Sequence, residues 1–335
     1  MILVTGATGL VGGHLLWHLL QQNESVVAIR RKTSNLKLLR TIFSFYTDVP
    51  EVYLKKIEWR IADVNHITSL RNAMGNIMSI YHCAAVVSLN KGGDALMDTN
   101  TAGTRNMVQV ALKRAVKKFC FVSSIAACGF ADKGEIITEE TPWEQSDHKS
   151  LYALSKYNAE QEVWKGIQKG LNAVIVNPGV ILGVSGNHSG SSLIFERSRK
   201  GMLFYTLGGS GYVDVQDVVK VMMLLMESNI TAERFILVSE NNSNKEILTM
   251  MAAGFNKPRP VFNVSRTLLM MGGFFAEVAG KILGFTPIVD RSFAVSATNR
   301  SYYSSQKIIN KLGYRFKPVP ACINEVCAFM LKHRP

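Results

Sequence analysis

The sequence predicts an α/β protein built on a doubly wound parallel sheet, with a smaller, mostly helical lobe towards its C-terminus. Three observations carry this expectation. Short apolar runs alternate with amphipathic stretches of helical period. A glycine-rich turn follows the first apolar run at once. After Pro178-Gly179 the alternation loosens into Gly/Ser-rich loops such as 187–192 and 208–211.

Ile2-Leu3-Val4 reads as a buried strand, and Leu15, Leu16, Leu19 and Leu20 continue the chain with helical spacing. Between them lies Thr5-Gly6-Ala7-Thr8-Gly9-Leu10-Val11-Gly12. A strand, a glycine turn and a helix in this order form a cradle for a dinucleotide pyrophosphate at a helix N-terminus. Gly6 makes the tight turn, Gly9 admits the phosphates and Gly12 lets the helix pack closely on the strand. The spacing is GxxGxxG rather than GxGxxG.

The second strand is expected at Ser25–Ile29, followed by Arg30 and Arg31. No acidic residue stands there to hold a ribose 2′-hydroxyl. Guanidinium groups suit a 2′-phosphate through bidentate hydrogen bonds, which favours NADP over NAD. A solvated basic loop is the competing reading, since Lys32 and Lys37 follow.

Further strands are expected at Ile57–Ile61, Ile77–Tyr81, Lys118–Ser123, Ala173–Val176 and Arg234–Val238. Helices are expected at Ile67–Met74, Thr101–Ala115 and Tyr152–Gln168. The pattern divides the chain into a nucleotide-binding part, 1–179, and a smaller substrate lobe, 180–335. The strand near 234–238 is expected to return to the main sheet.

The chain has 335 residues, enough for a large core, with 47% hydrophobic and 19% charged residues, a globular composition. Met1 leads straight into the first strand, and the longest apolar stretch, Thr267–Ala276, is far short of the ~20 residues a membrane helix needs. These features read as a cytoplasmic protein without a membrane partner. Five cysteines without CxxC spacing fit reduced thiols. The net charge of +13 comes from scattered basic residues, so a surface attracting anionic small molecules fits better than a nucleic-acid partner. A generally basic surface is an equal reading. His14 and His18, four apart on a helix, lack a third ligand and read as structural, so no metal site is expected.

The second motif is Tyr152-Ala153-Leu154-Ser155-Lys156. Four residues apart on a helix, the phenol and the ammonium share a face. A nearby ammonium favours the phenolate and lowers a tyrosine pKa towards neutrality. Ser124, after the strand that ends in Ser123, can hydrogen-bond an oxygen on which charge develops. Such a trio suits carbonyl reduction, in which a nicotinamide supplies hydride and the tyrosine a proton. Alone, Tyr-x-x-x-Lys is uninformative; the glycine loop gives it weight.

These motifs, with Asp63-Val64, His82-Cys83-Ala84-Ala85, Asn100 with Gly103-Thr104, Ser123-Ser124 and Asn177-Pro178-Gly179, resemble the extended short-chain dehydrogenase/reductases, the NAD(P)-dependent epimerase/dehydratase superfamily. The likeness runs almost end to end. Within the superfamily it is nearest in look to dihydroflavonol-reductase and 3β-hydroxysteroid-dehydrogenase-like members. The resemblance implies a Rossmann-type fold in which Asp63 and Val64 contact adenine. Cys83, Ala84 and Ala85 then wall the pyrophosphate and nicotinamide ribose, and Pro178, Gly179 and Val180 line the carboxamide. It also implies cofactor contacts at Thr5, Thr8, Val122, Ser123, Asn100, Tyr152 and Lys156. The catalytic set would be Ser124, Tyr152 and Lys156, supported by Asn100. A homodimer through the helices at 101–115 and 152–168 is a family expectation. Asp63 has a competing reading as a helix cap.

Ile125 and Ala126 stand where dehydratases of the superfamily carry an acidic pair, so dehydration is disfavoured. Asn177 replaces an arginine usual in nucleotide-sugar enzymes, which puts that substrate class in doubt. Met270, Met271, Phe274, Phe275, Leu283 and Phe285 suit either an apolar substrate or plain helix packing. Arg197 and Arg199 suit an anionic substrate group or a solvated helix face. The expected function is therefore an NADP-dependent oxidoreductase that reduces a ketone or aldehyde, or oxidises the secondary alcohol. The alternatives are a nucleotide-sugar epimerase with tightly bound NAD(P) and a non-catalytic NADPH-binding regulatory protein.

Overall fold

A computed structural model describes residues 1–87, 96–129, 134–144, 150–185, 190–271 and 297–333. A seven-stranded sheet runs in the order β11-β7-β5-β4-β1-β2-β3, every neighbouring pair parallel. Its strands are β1 (Ile2–Thr5), β2 (Val26–Arg30), β3 (Glu58–Ile61), β4 (Ser79–His82), β5 (Lys118–Val122), β7 (Ala173–Pro178) and β11 (Glu233–Leu237). The chain works outward from β1 to β3, then crosses back to β4, so the order reverses between β1 and β4. Ligands of open α/β sheets bind at such a switch point, beyond the carboxyl ends of the strands.

The central strands are buried on both faces, as parallel strands between helical layers are. Lys118–Val122 and Ala173–Pro178 have no exposed residue. One face is covered by α1 (Leu10–Gln21), α2 (Lys37–Ser44), α3 (Pro50–Leu54) and a long helix at Val215–Glu227. Leu15, Leu16 and Leu19 of α1 meet Val218, Met222 and Leu225 of that helix, all almost fully buried. The other face carries α4 (Ile67–Met74), α5 (Gly103–Lys113) and α6 (Leu151–Gln168), through Leu70, Met107, Val110, Ala159 and Val163. Burying each such side chain stabilises the fold by ~1.5–3 kcal/mol.

The observed strand boundaries of the main sheet lie within two residues of the sequence expectation. The second strand begins at Val26 and includes Arg30, which pairs with Ile61. The expected helix at 101–115 begins instead as a π-helical turn, Met97–Ala102, and continues as α5. Among the described residues, small sheets that lacked a sequence signal join the C-terminal part to the core. β8 (Val180–Leu182), β10 (Gly209–Asp214) and β12 (Glu240–Ser243) form one. β6 (Ile136–Ile137) pairs with β14 (Tyr302–Tyr303), and β9 (Phe204–Tyr205) with β13 (Phe262–Asn263). These strands are short, and β8 and β10 are adjacent only in space, so no local periodicity announces them. Phe274, Phe275, Leu283 and Phe285 lie outside the described residues.

Gly179 sits where β7 passes into β8. A Cβ there would lie 2.4 Å from the carbonyl oxygen of Gly211 in β10, backbone that cannot swing aside. We expect Gly179→Ala to destabilise the protein by ~1–3 kcal/mol through overpacking. Thermal unfolding should show a lower Tm, and an unchanged Tm would contradict this packing.

Candidate active site

The loop between β1 and α1 is shaped by close approach. Gly6 has φ +64°, and a Cβ on it would lie 2.6 Å from the backbone of Cys83 and Ala84. A Cβ on Gly12 would lie 2.3 Å from the Gly6 oxygen. The Gly9 N–H donates to that oxygen at 2.9 Å. Gly9 is the N-cap of α1 and provides no side-chain cap. The first-turn N–H groups of Leu10, Val11 and Gly12 are thus available to an anion. Thr8 is half-buried beside them.

Thr5 fixes the next wall. Its hydroxyl accepts the Ala84 N–H at 3.0 Å and lies 2.8 Å from His82 Nδ1, while His82 Nε2 is 3.0 Å from the Thr104 hydroxyl. Burial pushes the His82 imidazole down to about 3, with Lys156 adding to the effect. His82 is therefore a neutral clamp between β1, β4 and α5. Cys83 beside it is half-buried, and burial pushes its thiol up to about 12. Ala85 is exposed one residue beyond Ala84.

At the β2 end, Arg30 is half-buried and its Nε has no hydrogen-bond partner, while Arg31 is exposed. Asp63 accepts the Asn65 N–H at 3.0 Å through one carboxylate oxygen. It shapes a turn and does not cap α4, whose N-cap is His66. Val64 is buried and packs on Gly103, where a Cβ would come within 2.7 Å of it.

Ser124, Tyr152 and Lys156 converge at the carboxyl end of β5. Ser124 is the N-cap of a short turn, accepting the Ala126 N–H at 3.1 Å, and it hydrogen-bonds the Tyr152 phenol. α6 starts one residue before Tyr152, capped by Ser150. Lys156 is 2% exposed, and its ammonium donates to the Val122 carbonyl at 2.7 Å and lies 4.7 Å from the centre of the Phe121 ring. Burial pushes that ammonium down to about 8, against the pull of Glu160 and Cys83. One sequence expectation is corrected here. The Tyr152 pKa is raised by burial, with only the Ser124 hydrogen bond opposing it. The Lys156 ammonium is engaged by the Val122 carbonyl and the Phe121 ring.

Asn100 stands on the π-helical turn, a feature frequent at functional sites. Its Oδ1 accepts the Val86 N–H at 2.7 Å, and its Nδ2 donates to the Val86 carbonyl at 3.0 Å and to the Ser155 hydroxyl at 2.9 Å. It holds the segment after β4 against α6 and positions the crevice wall. Pro178 ends β7 and Val180 opens β8, on either side of Gly179.

Sequence reading missed a carboxylate behind this trio. Glu160, 1% exposed, accepts from the Ser123 hydroxyl at 2.8 Å, Asn177 Nδ2 at 2.9 Å and Arg234 Nη1 at 3.1 Å. The same Asn177 nitrogen donates to the Ser124 carbonyl at 3.0 Å. Arg234 also reaches the Glu139 carbonyl, and the Glu139 carboxylate takes the Ile236 N–H at 2.8 Å. The signal was present, since Glu160 follows Lys156 by one helical turn.

Other candidates lie elsewhere. His14 bonds the Tyr46 hydroxyl and, at 2.9 Å, the Val184 carbonyl. Burial pushes both His14 and His18 down to about 4. Arg199 and Arg40 line a cavity of about 350 Å³ between α2, Gly183-Val184 and the helices at 191–200 and 319–332, away from Ser124. Arg197 is exposed.

Residues 2–237 match the model of the NAD dependent epimerase/dehydratase family. The chain belongs to that family. It is 30% identical to a putative dihydroflavonol 4-reductase of Synechocystis, over 92% of this chain and 88% of that protein. It is 28% identical to sterol demethylase protein B of Methylococcus capsulatus, over 92% and 88% of the two chains. The crystal structure of gox2253 superposes with a TM-score of 0.81 at 26% identity, covering 100% of this chain and 98% of that one. The protein is thus an NAD(P)-dependent enzyme of the extended short-chain dehydrogenase/reductase type. A dinucleotide fits the residues present: N–H donors without a cap, space that a Cβ would fill, and an orphaned guanidinium nitrogen on Arg30. Among the described residues no helix is long and apolar enough to cross a membrane. No metal-binding cluster of three or more His, Cys, Asp or Glu is found among them either.

Lys156 gives the site a pH signature. Its folded pKa of about 8 lies below the ordinary 10.5, so between those values the unfolded chain binds more protons and stability rises with pH. The difference in Tm between the wild type and Lys156→Met should shift in favour of the wild type from pH 7 to pH 10. A difference independent of pH would contradict the burial of a titrating ammonium.

Proposed function

We propose that the protein is an NADP-dependent reductase of an apolar ketone or aldehyde, or the dehydrogenase of the matching secondary alcohol. The observation that carries this reading is the Tyr152–Ser124 hydrogen bond beside the uncapped end of α1, with Lys156 one turn further along α6. The bound nicotinamide supplies or accepts hydride. The protein must bring the carbonyl oxygen to the two hydroxyls and move one proton. In the reductive direction the Tyr152 phenol gives its proton to the substrate oxygen, and Ser124 donates a hydrogen bond as negative charge grows there. The oxidative direction reverses both steps.

In this reading Lys156 is held between the Val122 carbonyl and the Phe121 ring, one helical turn after Tyr152 on α6. The raised Tyr152 pKa keeps the phenol protonated at neutral pH, which suits the acid of a reduction. Asn100 positions the wall through Val86. Thr5, Gly6, Thr8, Gly9, Leu10, Val11 and Gly12 hold the pyrophosphate. Arg30 and Arg31 take the 2′-phosphate, the unpaired Nε of Arg30 being the group that lacks a partner without one. Asp63 and Val64 flank the adenine; Cys83, Ala84, Ala85, Val122, Ser123, Pro178, Gly179 and Val180 line the nicotinamide half. The relatives named for a dihydroflavonol and a sterol both point to polycyclic, largely apolar substrates. Residues 1–179 would form the cofactor part and 180–335 the substrate lobe.

The reading is tested first on Tyr152→Phe. NADPH oxidation with an apolar ketone should fall by ~10²–10⁴, with NADPH affinity by calorimetry nearly unchanged. Wild-type turnover in that variant would refute the proton role. A nucleotide that co-purifies and does not exchange would move the weight to an epimerase.

Arg30→Ala with Arg31→Ala should weaken NADPH at least ten-fold more than NADH, by loss of charge-assisted hydrogen bonds to the 2′-phosphate. Equal losses for the two nucleotides would remove the assignment to NADP.

A further inference from the structure

Among the described residues, an apolar surface far along the chain from the candidate site stands exposed. β9 and β13 pair in parallel, with Phe204 opposite Phe262 and their rings 5.6 Å apart. The Leu203 carbonyl accepts both the Val261 and the Phe262 N–H at 2.9 Å, and the Val264 N–H reaches the Tyr205 carbonyl at 2.8 Å. The backbone is thus fastened, yet Phe204 and Phe262 are 58% and 55% exposed. Leu207, Val261, Leu268 and Met271 are also more than half exposed. Leu268 and Met271 lie three apart on the helical turns at 266–271, just after β13. Soluble monomers seldom leave so many adjacent large apolar side chains in water.

The two chain segments that carry these side chains are basic. The segments 197–207 and 255–271 hold Arg197, Arg199, Lys200, Lys257, Arg259 and Arg266, and no Asp or Glu. Five of the six are exposed; only Arg199 is half-buried. Lys245 lies over the Tyr205 ring, 4.9 Å from its centre, at the edge of the same strand pair. The nearby Glu246 carboxylate caps its own helix at Ser243 and faces Arg300. Apolar side chains interspersed along the chain with Lys and Arg fit the boundary between lipid headgroups and acyl chains, with the rings below and the cations at the phosphates.

We propose that this face rests on an anionic lipid surface, so that the protein binds the membrane peripherally. Lying on a bilayer needs only a patch of this kind and no spanning helix. Self-association through the same face is disfavoured by its charge: two copies of a +13 chain would bring two sets of these Lys and Arg together. An anionic membrane meets the same residues with opposite charge.

Vesicle sedimentation of the full chain tests the proposal, with phosphatidylcholine alone and with phosphatidylglycerol added. The wild type should pellet with the anionic vesicles, and salt should release it. Arg259→Gln with Arg266→Gln should weaken binding by about five-fold per charge. Phe204→Ser with Phe262→Ser should weaken it more than ten-fold, with a Tm close to that of the wild type. No binding to anionic vesicles at low salt would overturn the proposal, whether residues of this chain or a second copy cover the face. Equal, salt-independent binding to neutral vesicles would overturn it as well, and so would arginine variants that bind like the wild type. The arginine pair keeps the test decisive if the phenylalanine pair fails to fold. None of these outcomes depends on the cofactor or on the carbonyl chemistry proposed above.

Discussion

The crevice depends on a single buried carboxylate. Glu160 gathers donors from Ser123 just after β5, from β7 and β11, and from Trp164 on its own helix at 3.4 Å. A carboxylate without water needs every lone pair engaged, or it costs several kcal/mol. Satisfying it fixes how α6 sits on the sheet, and α6 carries both Tyr152 and Lys156. The shared Asn177 nitrogen carries the constraint to the Ser124 backbone. The relative placement of hydroxyl, phenol and ammonium is therefore set from behind, by groups that need not touch a substrate.

A second constraint acts on the cofactor side by exclusion. Gly6 and Gly12 bring backbone against backbone at distances that leave no room for a side chain. The Thr5–His82–Thr104 chain then locks β1, β4 and α5 at the switch point. The two halves of the crevice are unlike in physics. One is a backbone surface held by steric contact, the other a polar network held by satisfaction of buried charge.

This difference explains what was legible in the sequence. The glycine loop depends on local spacing, so strand, turn and helix could be read from Ile2 to Leu20. The parallel core was legible because its strands are buried on both faces and read as apolar runs. The family resemblance rests on motifs of the same local kind, and the family model covers them. Glu160, Glu139, Asn177 and Arg234 were not legible as a group. They come from positions 139 to 234, and only the fold makes them neighbours. The contacts of Lys156 with Val122 and Phe121 were invisible for the same reason, since helical spacing says which residues share a face but not what that face meets. The π-helical turn at Asn100 has no compositional mark that separates it from an ordinary helix start.

The topology also sets an order of events during synthesis. β1 is the first strand made, yet it lies near the middle of the sheet, and its neighbour β4 ends at His82. The nucleotide loop therefore leaves the ribosome long before the backbone of Cys83 and Ala84 arrives to brace it. The carboxylate on α6 waits longer still, because Arg234 on the edge strand is among the last of its partners to be made. Until then that acid lacks one of its donors, so the network behind the crevice closes only when the edge strand has been made.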